Sequence, residues 1–400
     1  MKLHKSLVGA IVDALKEIFE EKHLADKTIE KILKSNKKWG ARDRAFIAEN
    51  TYEIVRWYRL LSDFFQDKNE INFWQIFALW WLKTHTELPD WPEFEGLNTQ
   101  DVIQYFEKEE TFPRKIQESI PDWLDQLGET ELGTLAWNTE LKALNNPTKT
   151  ILRVNSLKIS KEALIEKLTE KGVIIATNEK YPDALILEKR TNLMGLDEYK
   201  SGFFEIQDAG SQAIAPFLDV EPNMTVIDAC AGAGGKTLHL ASLMQNKGNL
   251  VAMDIETKKL KVLQQRGSRN GVKILKECVL ANQETLGKYK DSADRLLLDV
   301  PCSGLGVLRR NPDAKWKLSL EFVEKIKVIQ AKIIQEYAVM VKPNGKMVYA
   351  TCSILPSESE QQVELFLVNN KNWVLESQQR TSPAKDGFDG FYMARLKRIK

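Results

Sequence analysis

The feature that most constrains the fold is an alternation of apolar segments and helical patterns in the second half of the chain. Five segments rich in Val, Ile and Leu have the length of buried strands: MTVIDAC, NLVAMDI, VKILKE, RLLLDV and GKMVYATCS. Between them, apolar residues recur at helical spacing over 236–246, 256–270 and 319–341. Buried strands that alternate with helices are typical of a parallel sheet with helices on both faces. The sequence therefore predicts an α/β Rossmann-like domain over 206–400, with a doubly wound, mostly parallel sheet.

A glycine-rich turn follows the first of these strands, in the sequence VIDACAGAGGKT. Glycines let the backbone approach a ligand, and the N-terminus of the following helix offers free N–H groups. The turn fails the G-x-x-x-x-G-K-[ST] phosphate pattern at Cys230 and the G-x-G-x-x-G dinucleotide pattern at Thr237. Asp254, at the end of the next strand, is placed to bind both hydroxyls of a ribose. The combination predicts a nucleoside-like cofactor, of which S-adenosylmethionine is the obvious one.

Two cysteines stand at the ends of predicted strands further along the chain. One strand is expected to end at Asp299 in RLLLDVPCSGLG, and Cys302 follows it in the Pro-Cys-Ser (PCS) motif. Another strand is expected to end at Cys352 in GKMVYATCS. Catalytic groups in open α/β sheets gather at the carboxyl ends of strands, so both thiols should face the cofactor. Cysteine is a good nucleophile at neutral pH because some thiolate is already present. A strand-end cysteine is more often buried filler, and that interpretation is kept for Cys230 and Cys278.

Taken together, these motifs resemble a known family. DACAGAGGKT, LLLDVPCSGLGVLRRNPDAKW and YATCSILPSESE, in this order, are similar to motifs of the Nop/Sun family of RNA (cytosine-5) methyltransferases. The similarity spans about residues 150–400 and includes LRVNS, QDAGSQ and the closing DGFDGFYMARLKR. ARDRAFIAENTYEIVRWY looks like part of the NusB-like RNA-binding domain of the bacterial RsmB-like 16S rRNA methyltransferases, the subgroup that the chain resembles.

The resemblance implies a reaction and catalytic roles. Carbon 5 of cytosine is too weak a nucleophile to attack a methyl sulfonium, and a thiolate that adds to carbon 6 makes carbon 5 electron-rich. Cys352 would be that nucleophile, Asp299 would hydrogen-bond ring N3 and the amino group, and Cys302 would act in the release step. Lys236, near the glycine-rich turn, would lower the pKa of the Cys352 thiol.

The resemblance also implies which residues bind the cofactor and the RNA. S-adenosylmethionine would contact Asp254, Asp299 and the residues of the glycine-rich turn, which are Cys230, Ala231, Gly232, Ala233, Gly234, Gly235 and Lys236. Arg309 and Arg310 follow the PCS motif and are candidates for contacts with RNA phosphates. No metal is implied.

The chain departs from the family pattern at two places. In KECVLANQE, Leu280 stands near the position where an acid is expected beside the adenine, and Asn282 or Glu284 would have to replace it through a shifted loop. Otherwise backbone groups would recognise the adenine, and cofactor affinity would be modest. The turn also carries Gly232-Ala233 where the family has Ala-Pro, which loosens the loop but keeps its glycines.

Two further domains are predicted upstream. Residues 1–145 show helical spacing over several segments and predict an all-helical NusB-like domain; these segments are 6–22, 27–36, 41–65, 72–85 and 129–144. Tryptophans are dense in this half, and packing between helices is favoured over base stacking. A turn signal, NNPT, precedes a strand, a helix and two short strands, which predict a small α+β RNA-binding subdomain over 146–205.

Charge and cysteine spacing limit the classes of partner and site. The net charge is +1, but 258–276 holds seven Lys or Arg and no acid, whereas 87–131 holds 13 acids and 3 basic residues. A local basic face can bind phosphate, and a solvated helix face explains the same run equally well. The four cysteines form no C-x-x-C pair, so no zinc site is predicted.

No apolar segment reaches the length of a membrane span, and residues 1–22 predict an amphipathic helix instead of a signal peptide. We therefore expect a cytoplasmic monomer with reduced thiols, an RNA partner and no membrane partner. The favoured function is methylation of 16S rRNA. The alternatives are a tRNA cytosine-5 methyltransferase and a catalytically silent RNA-binding ribosome assembly factor, which only the altered adenine site supports.

Overall fold

The computed structural model describes residues 3–65, 72–85, 87–279 and 283–399. The chain divides into two compact units. The helical unit comprises residues 1–146 and 308–320, and the catalytic unit comprises residues 147–307 and 321–400. The division into three domains at 145/146 and 205/206 stays a prediction.

Helices account for most of the first unit and cover both faces of the sheet in the second. In chain order the α-helices are α1 (Lys5–Phe19), α2 (Ala25–Ser35), α3 (Ala41–Arg56), α4 (Tyr58–Asp63), α5 (Phe73–Thr84), α6 (Thr99–Glu107), α7 (Arg114–Gln117), α8 (Asp122–Leu132), α9 (Thr134–Leu144), α10 (Lys161–Glu170), α11 (Asp197–Lys200), α12 (Ala209–Phe217), α13 (Gly235–Leu243), α14 (Thr257–Asn270), α15 (Gln283–Lys288), α16 (Ala314–Lys317), α17 (Leu320–Tyr337), α18 (Glu360–Asn369) and α19 (Pro383–Asp386). Across the ranges described, none of these helices combines the length and the apolar character needed to cross a bilayer.

In the part of the chain that the structure describes, every strand lies between residues 151 and 398. They are β1 (Ile151–Val154), β2 (Ile175–Thr177), β3 (Ala184–Leu187), β4 (Phe204–Ile206), β5 (Thr225–Asp228), β6 (Asn249–Asp254), β7 (Leu275–Val279), β8 (Ala293–Asp299), β9 (Val341–Thr351), β10 (Trp373–Thr381) and β11 (Phe391–Arg398).

The helical unit is held together by apolar helix faces that meet in one core. In α1 the buried residues include Leu7, Ile11, Leu15 and Ile18, which follow the spacing of one helix face. Tryptophans from several helices and loops belong to the same core or pack against it, namely Trp39, Trp57, Trp74, Trp80, Trp81 and Trp91. Their positions agree with packing between helices, the interpretation favoured from the sequence.

Two of the predicted helices are each divided in two by a single residue. The segment 41–65 is interrupted at Trp57, whose backbone (φ −102°, ψ 16°) ends α3 before α4 begins. The segment 129–144 is interrupted at Gly133, which has a φ of 79° that favours glycine. The apolar spacing continues across both breaks, so periodicity alone did not reveal them.

The segment 308–320 is part of the helical unit, although it follows the PCS motif along the chain. The indole Nε1 of Trp316 donates to the carbonyl of Val55 at 2.7 Å. The Lys315 ammonium is buried and donates to the carbonyl of Arg56 at 2.8 Å. Burial and the nearby Arg56 charge lower the pKa of Lys315 well below its usual value. This short segment therefore supplies core contacts to helices that precede it by about 250 residues.

A four-stranded antiparallel sheet opens the catalytic unit, with the strand order β2-β3-β1-β4. One face of this sheet packs against α10, where Leu164 and Leu168 join Leu152 of β1 in a common core. The strand–helix–strand–strand pattern predicted after NNPT corresponds to β1, α10, β2 and β3. The fourth strand, β4, has only three residues and was not predicted.

A seven-stranded sheet forms the centre of the catalytic unit, with the order β10-β11-β9-β8-β5-β6-β7. The strands from β9 to β7 pair in parallel, whereas β11 pairs antiparallel with both β9 and β10. The mostly parallel Rossmann-like sheet predicted from the sequence is confirmed. Its consequence for the site is that β5, β6, β8 and β9 end at the same edge of the sheet.

Candidate active site

The glycine-rich turn connects β5 to α13 and contains two glycines with positive φ. Gly234 (φ 89°) is the N-cap of α13, and a Cβ there would lie 2.7 Å from the Cγ of Leu263 on α14. Gly232 (φ 55°) has open space where a Cβ would stand, with nothing within 4 Å. Gly234 is therefore required for close packing, whereas Gly232 leaves room on the exposed side of the turn.

Asp254, the last residue of β6, is bonded directly to this turn. Its Oδ2 accepts the N–H of Gly232 at 2.9 Å, and its Oδ1 accepts the N–H of Glu256 at 2.8 Å. The Ala231 N–H also donates to the carbonyl of Met253 at 2.9 Å. The two features that predicted a nucleoside-like cofactor, the turn and the acid, are thus brought together.

Two arginines bind the carbonyl oxygens of the turn. Arg153 of β1 donates to the carbonyl of Gly235 at 2.5 Å, and Arg266 of α14 donates to the carbonyl of Ala233 at 2.7 Å. Burial lowers the pKa of Arg153 to about 10, so this guanidinium stays charged at neutral pH. The bond from Arg266 also fixes the Ala233–Gly234 peptide unit, whose N–H donates to the carbonyl of Ala231 at 2.9 Å.

Glu205 of β4 holds one of these arginines, Arg266, in place. Its carboxylate is buried, and it accepts hydrogen bonds from Arg266 at 2.8 Å, from Arg269, and from Asn270 at 2.5 Å. Burial alone would raise the pKa of Glu205, but the charges and hydrogen bonds of these partners outweigh it and lower the pKa. The small sheet and α14 therefore form one charged network behind the turn.

Asp228, the last residue of β5, is a second buried acid beside the turn. Its Oδ2 accepts the hydroxyl of Thr237 at 2.7 Å, and its Oδ1 has no hydrogen-bond partner among the described residues. Burial raises the pKa of Asp228 to about 7. Burial also raises the pKa of the Cys230 thiol well above its usual value, which agrees with its interpretation as a filler residue.

Lys236 and Asp299 form an ion pair next to the turn, with 2.5 Å between Nζ and Oδ2. Burial by itself would lower the pKa of Lys236, but the charge of Asp299 and its hydrogen bond raise it above 10.5. The Cys352 sulfur adds to the same shift, which places the two groups within electrostatic reach of each other.

The two predicted cysteines meet at the ends of β8 and β9. Their sulfur atoms are 3.2 Å apart, and the Cys352 N–H donates to the Cys302 sulfur at 3.3 Å. The hydrogen bond to Cys352 and burial raise the pKa of Cys302 well above its usual value. Cys302 is therefore protonated at neutral pH.

The other predicted residues have different locations. Arg309 and Arg310 belong to the helical unit, where the Arg309 Nε donates to the carbonyl of Asn146 at 3.1 Å. Their contact with RNA phosphates stays a prediction. Leu280, Asn282 and the Cys278 side chain lie outside the described residues, and Glu284 is exposed in α15.

Sequence reasoning missed several groups that complete the site. Arg153 lies in the LRVNS segment, which was noted for its similarity and not for this residue. Arg266 contributed only to a count of basic residues. No sequence pattern indicated the role of Glu205, because its partners are more than 60 residues away along the chain. These partners are Arg266, Arg269 and Asn270.

The residues present fit S-adenosylmethionine. The open side of Gly232 leaves room for the cofactor, and the N-terminus of α13 offers it backbone N–H groups. Asp254 is held where a ribose would be bound, and the unpartnered Oδ1 of Asp228 offers a buried acceptor. Each of these groups lies at the edge where β5 and β6 end.

Comparisons with known proteins identify the family of the chain. The family model described as 16S rRNA methyltransferase RsmB/F matches residues 215–397, and a model described as the RsmF/B-like ferredoxin-like domain matches residues 120–194. A Synechocystis relative named probable ribosomal RNA small subunit methyltransferase B is 33% identical over 302 residues, which cover 70% of this chain and 67% of the relative.

A Pasteurella multocida relative, named ribosomal RNA small subunit methyltransferase B, is 33% identical over 326 residues, covering 76% of this chain and 72% of the relative. The crystal structure of a protein named PH0851 superposes with a TM-score of 0.84 at 24% identity, covers 100% of both chains, and supports the fold alone. The chain therefore belongs to the RsmB/F family of 16S rRNA methyltransferases, which depend on S-adenosylmethionine.

Proposed function

We propose that the protein methylates carbon 5 of a cytosine in 16S rRNA through a covalent bond between Cys352 and carbon 6. The observation that carries this proposal is the pair of cysteines whose sulfur atoms lie 3.2 Å apart, beside the Lys236–Asp299 ion pair. A methyl transfer to an oxygen or nitrogen atom of the RNA would need no nucleophile from the protein. Two adjacent cysteines suit a reaction in which one adds to the base and the other helps to release it.

The first step is the addition of the Cys352 thiolate to carbon 6. As the bond between sulfur and carbon 6 forms, the π electrons of the carbon 5–carbon 6 double bond shift away from carbon 6, and negative charge reaches N3. Asp299 hydrogen-bonds N3 and the amino group, and the proton that neutralises the charge reaching N3 comes through it from the Lys236 ammonium. Carbon 5 is then electron-rich and takes a methyl group, which the bound cofactor supplies from its sulfonium.

The release step uses Cys302. Once the Cys352 sulfur is bound to carbon 6 it is no longer an anion, so the main cause of the raised Cys302 pKa is removed. Cys302 can then lose its proton to water and accept the proton from carbon 5. The electron pair of that bond re-forms the carbon 5–carbon 6 double bond, N3 returns its proton to Asp299, and Cys352 leaves as a thiolate.

We also propose that the helical unit is a NusB-like RNA-binding domain and that the four-stranded sheet is a further RNA-binding subdomain. The core of apolar helix faces in residues 1–146 supports a stable helical domain, and the match to a ferredoxin-like model supports a separate sheet subdomain. Arg309 and Arg310 are proposed to contact phosphates in the RNA.

Methylation of 16S rRNA by cysteine variants tests the function. Cys352→Ala should abolish incorporation of labelled methyl groups, because no thiolate then activates carbon 5, while filter binding of RNA stays within about twofold. Cys302→Ala should accumulate a covalent protein–RNA band on denaturing gels, because release is blocked. The double variant is the control and should show no band.

Different outcomes identify the alternatives. Full methylation by Cys352→Ala would exclude the covalent mechanism. Label that enters tRNA and not 16S rRNA would favour the tRNA cytosine-5 methyltransferase. RNA binding by the wild-type protein without any methylation or adduct would favour the catalytically silent assembly factor.

A further inference from the structure

A buried carboxylate connects the two loops that carry the cysteines. Glu358 lies in the turn between β9 and α18, and its side chain is 0% exposed. Its Oε1 accepts the N–H of Ser303 at 2.8 Å and the side-chain amide of Gln330 at 3.0 Å. Its Oε2 accepts the hydroxyls of Ser303 and Ser353, each at 2.5 Å.

The positions of these two serines in the sequence show that the carboxylate is connected to both cysteines. Ser303 directly follows Cys302, and Ser353 directly follows Cys352. The two hydroxyls are 3.3 Å apart, which parallels the 3.2 Å between the two sulfurs. One carboxylate therefore holds the residue next to each thiol.

Further hydrogen bonds fix the carboxylate itself. The Gln330 amide that binds Glu358 also donates to the carbonyl of Pro301 at 3.0 Å, just before Cys302. The Tyr349 hydroxyl donates to the Glu358 carbonyl at 2.8 Å. Among the described residues, the carboxylate accepts hydrogen bonds from these four neutral donors, and none of them carries a positive charge. Burying a charge in this way is costly, and an apolar side chain of similar size would fill the space at lower cost.

We propose that Glu358 is a positioning residue that sets the separation of the two thiols, an inference that rests on the proposed function. Carbon 5 and carbon 6 are neighbouring atoms, so the sulfur that adds and the sulfur that accepts the proton must reach adjacent positions on one ring. A misplacement of about 1 Å between reacting groups is enough to slow a reaction by about 100-fold. Glu358 has no solvent-exposed surface and does not reach the base itself.

The proposal predicts that the two serines act on different steps. Ser303→Ala loosens the Cys302 loop, so it should slow release and accumulate the protein–RNA adduct by about tenfold, as expected for one lost hydrogen bond to a charged group. Ser353→Ala loosens the Cys352 loop, so it should slow adduct formation by about tenfold in the Cys302→Ala background. The KM for S-adenosylmethionine should change in neither variant.

Glu358 variants test whether the serines act through the carboxylate. Glu358→Gln keeps the size and can turn its carbonyl to the Ser303 N–H and its amide to the two hydroxyls, so its rates should stay within about threefold of wild type. Glu358→Ala loses all four bonds, and its rates should be no better than those of the Ser303→Ala/Ser353→Ala double variant. If Glu358→Ala does not fold, the double variant should still be less impaired than the product of the single effects predicts.

The matched control is Ser242→Ala, which removes a buried hydroxyl bonded to the Leu238 carbonyl and not to Glu358. It should leave adduct formation and release unchanged. Serine variants that lower the unfolding midpoint but leave both steps at the wild-type rate would overturn the proposal. If only the positioning proposal fails, Cys352-dependent adducts still form. If the proposed function itself fails, the wild-type protein forms no adduct either.

Discussion

At the scale of single residues, burial sets the protonation state of several side chains in the catalytic unit. His239 of α13 is buried, its Nε2 lies 3.1 Å from an Asp183 oxygen, and its Nδ1 has no partner among the described residues. Burial and the nearby Arg153 charge lower the pKa of His239 to about 4, against the opposing effect of Asp183. His239 is therefore neutral in the folded protein, with its proton on Nε2.

The low pKa of His239 makes stability depend on pH. Between pH 6.5 and about 4 the unfolded chain binds a proton that the folded chain does not, so stability falls as pH falls. We expect the wild-type protein to lose about 2 kcal/mol more than His239→Gln between pH 6.5 and pH 5. Urea unfolding at both pH values measures this difference. Glutamine keeps a donor for Asp183, and equal losses in the two proteins would contradict the prediction.

Some of the single residues in the site could be predicted from the sequence, and others could not. Cys302, Cys352, Asp299 and Lys236 were predicted because each belongs to a short motif, and the structure brings all four to one edge of the sheet. Glu358 lies in the same quoted motif as Cys352, yet its function depends on Ser303, which is 55 residues away. A contact of that kind leaves no spacing pattern in the sequence.

At the scale of secondary-structure elements, the glycine-rich turn is bound from behind by residues of β1 and α14. The turn itself was predictable, because a buried strand, glycines and a helix follow one another directly. The two antiparallel strands at the edge of the sheet were not predicted. In β10 only Trp373 and Thr381 are buried, so this strand has no apolar alternation. The sequence pattern therefore showed the five parallel strands and missed the two antiparallel ones.

Arg266 is expected to determine how firmly the turn holds the cofactor. Arg266→Met removes the bond to the Ala233 carbonyl, which frees the turn, so the Kd for S-adenosylmethionine should rise by about tenfold. Calorimetric titration measures the change. Arg269→Met is the matched control, since Arg269 also pairs with Glu205 but does not contact the turn. A Kd that rises equally in both variants would show that the charge network around Glu205, and not the bond from Arg266 to the turn, determines the affinity for the cofactor.

At the scale of the whole molecule, the helical unit is built from two separate stretches of chain. Helices α1 to α9 contribute most of it, and the segment 308–320 adds Trp316, whose ring lies 5.8 Å from that of Tyr58. Nothing in the composition of this segment, LRRNPDAKWKLSL, marks it as part of a helical domain. The motif was assigned to the catalytic domain because it directly follows the PCS cysteine.

Trp316 is expected to stabilise the helical unit. Trp316→Ala removes an indole packed against Phe19 and Tyr58 and its bond to the Val55 carbonyl, so we expect a loss of about 3 kcal/mol. Faster hydrogen–deuterium exchange of amides in α1 and α3 would report this loss. Leu320→Ala, at an exposed position of the same segment, should leave exchange unchanged. Unchanged exchange in Trp316→Ala would contradict the assignment of this segment.

The divided helical unit has a consequence for the order in which the protein can fold during synthesis. The first 146 residues leave the ribosome long before residues 308–320 are made. Until then, the carbonyls of Val55 and Arg56 lack the donors that Trp316 and Lys315 provide. The N-terminal helices are therefore expected to complete their core only after β5 to β8 of the sheet have been translated. Although it begins the chain, the helical unit cannot finish folding until residues 147–307 of the second unit have been made.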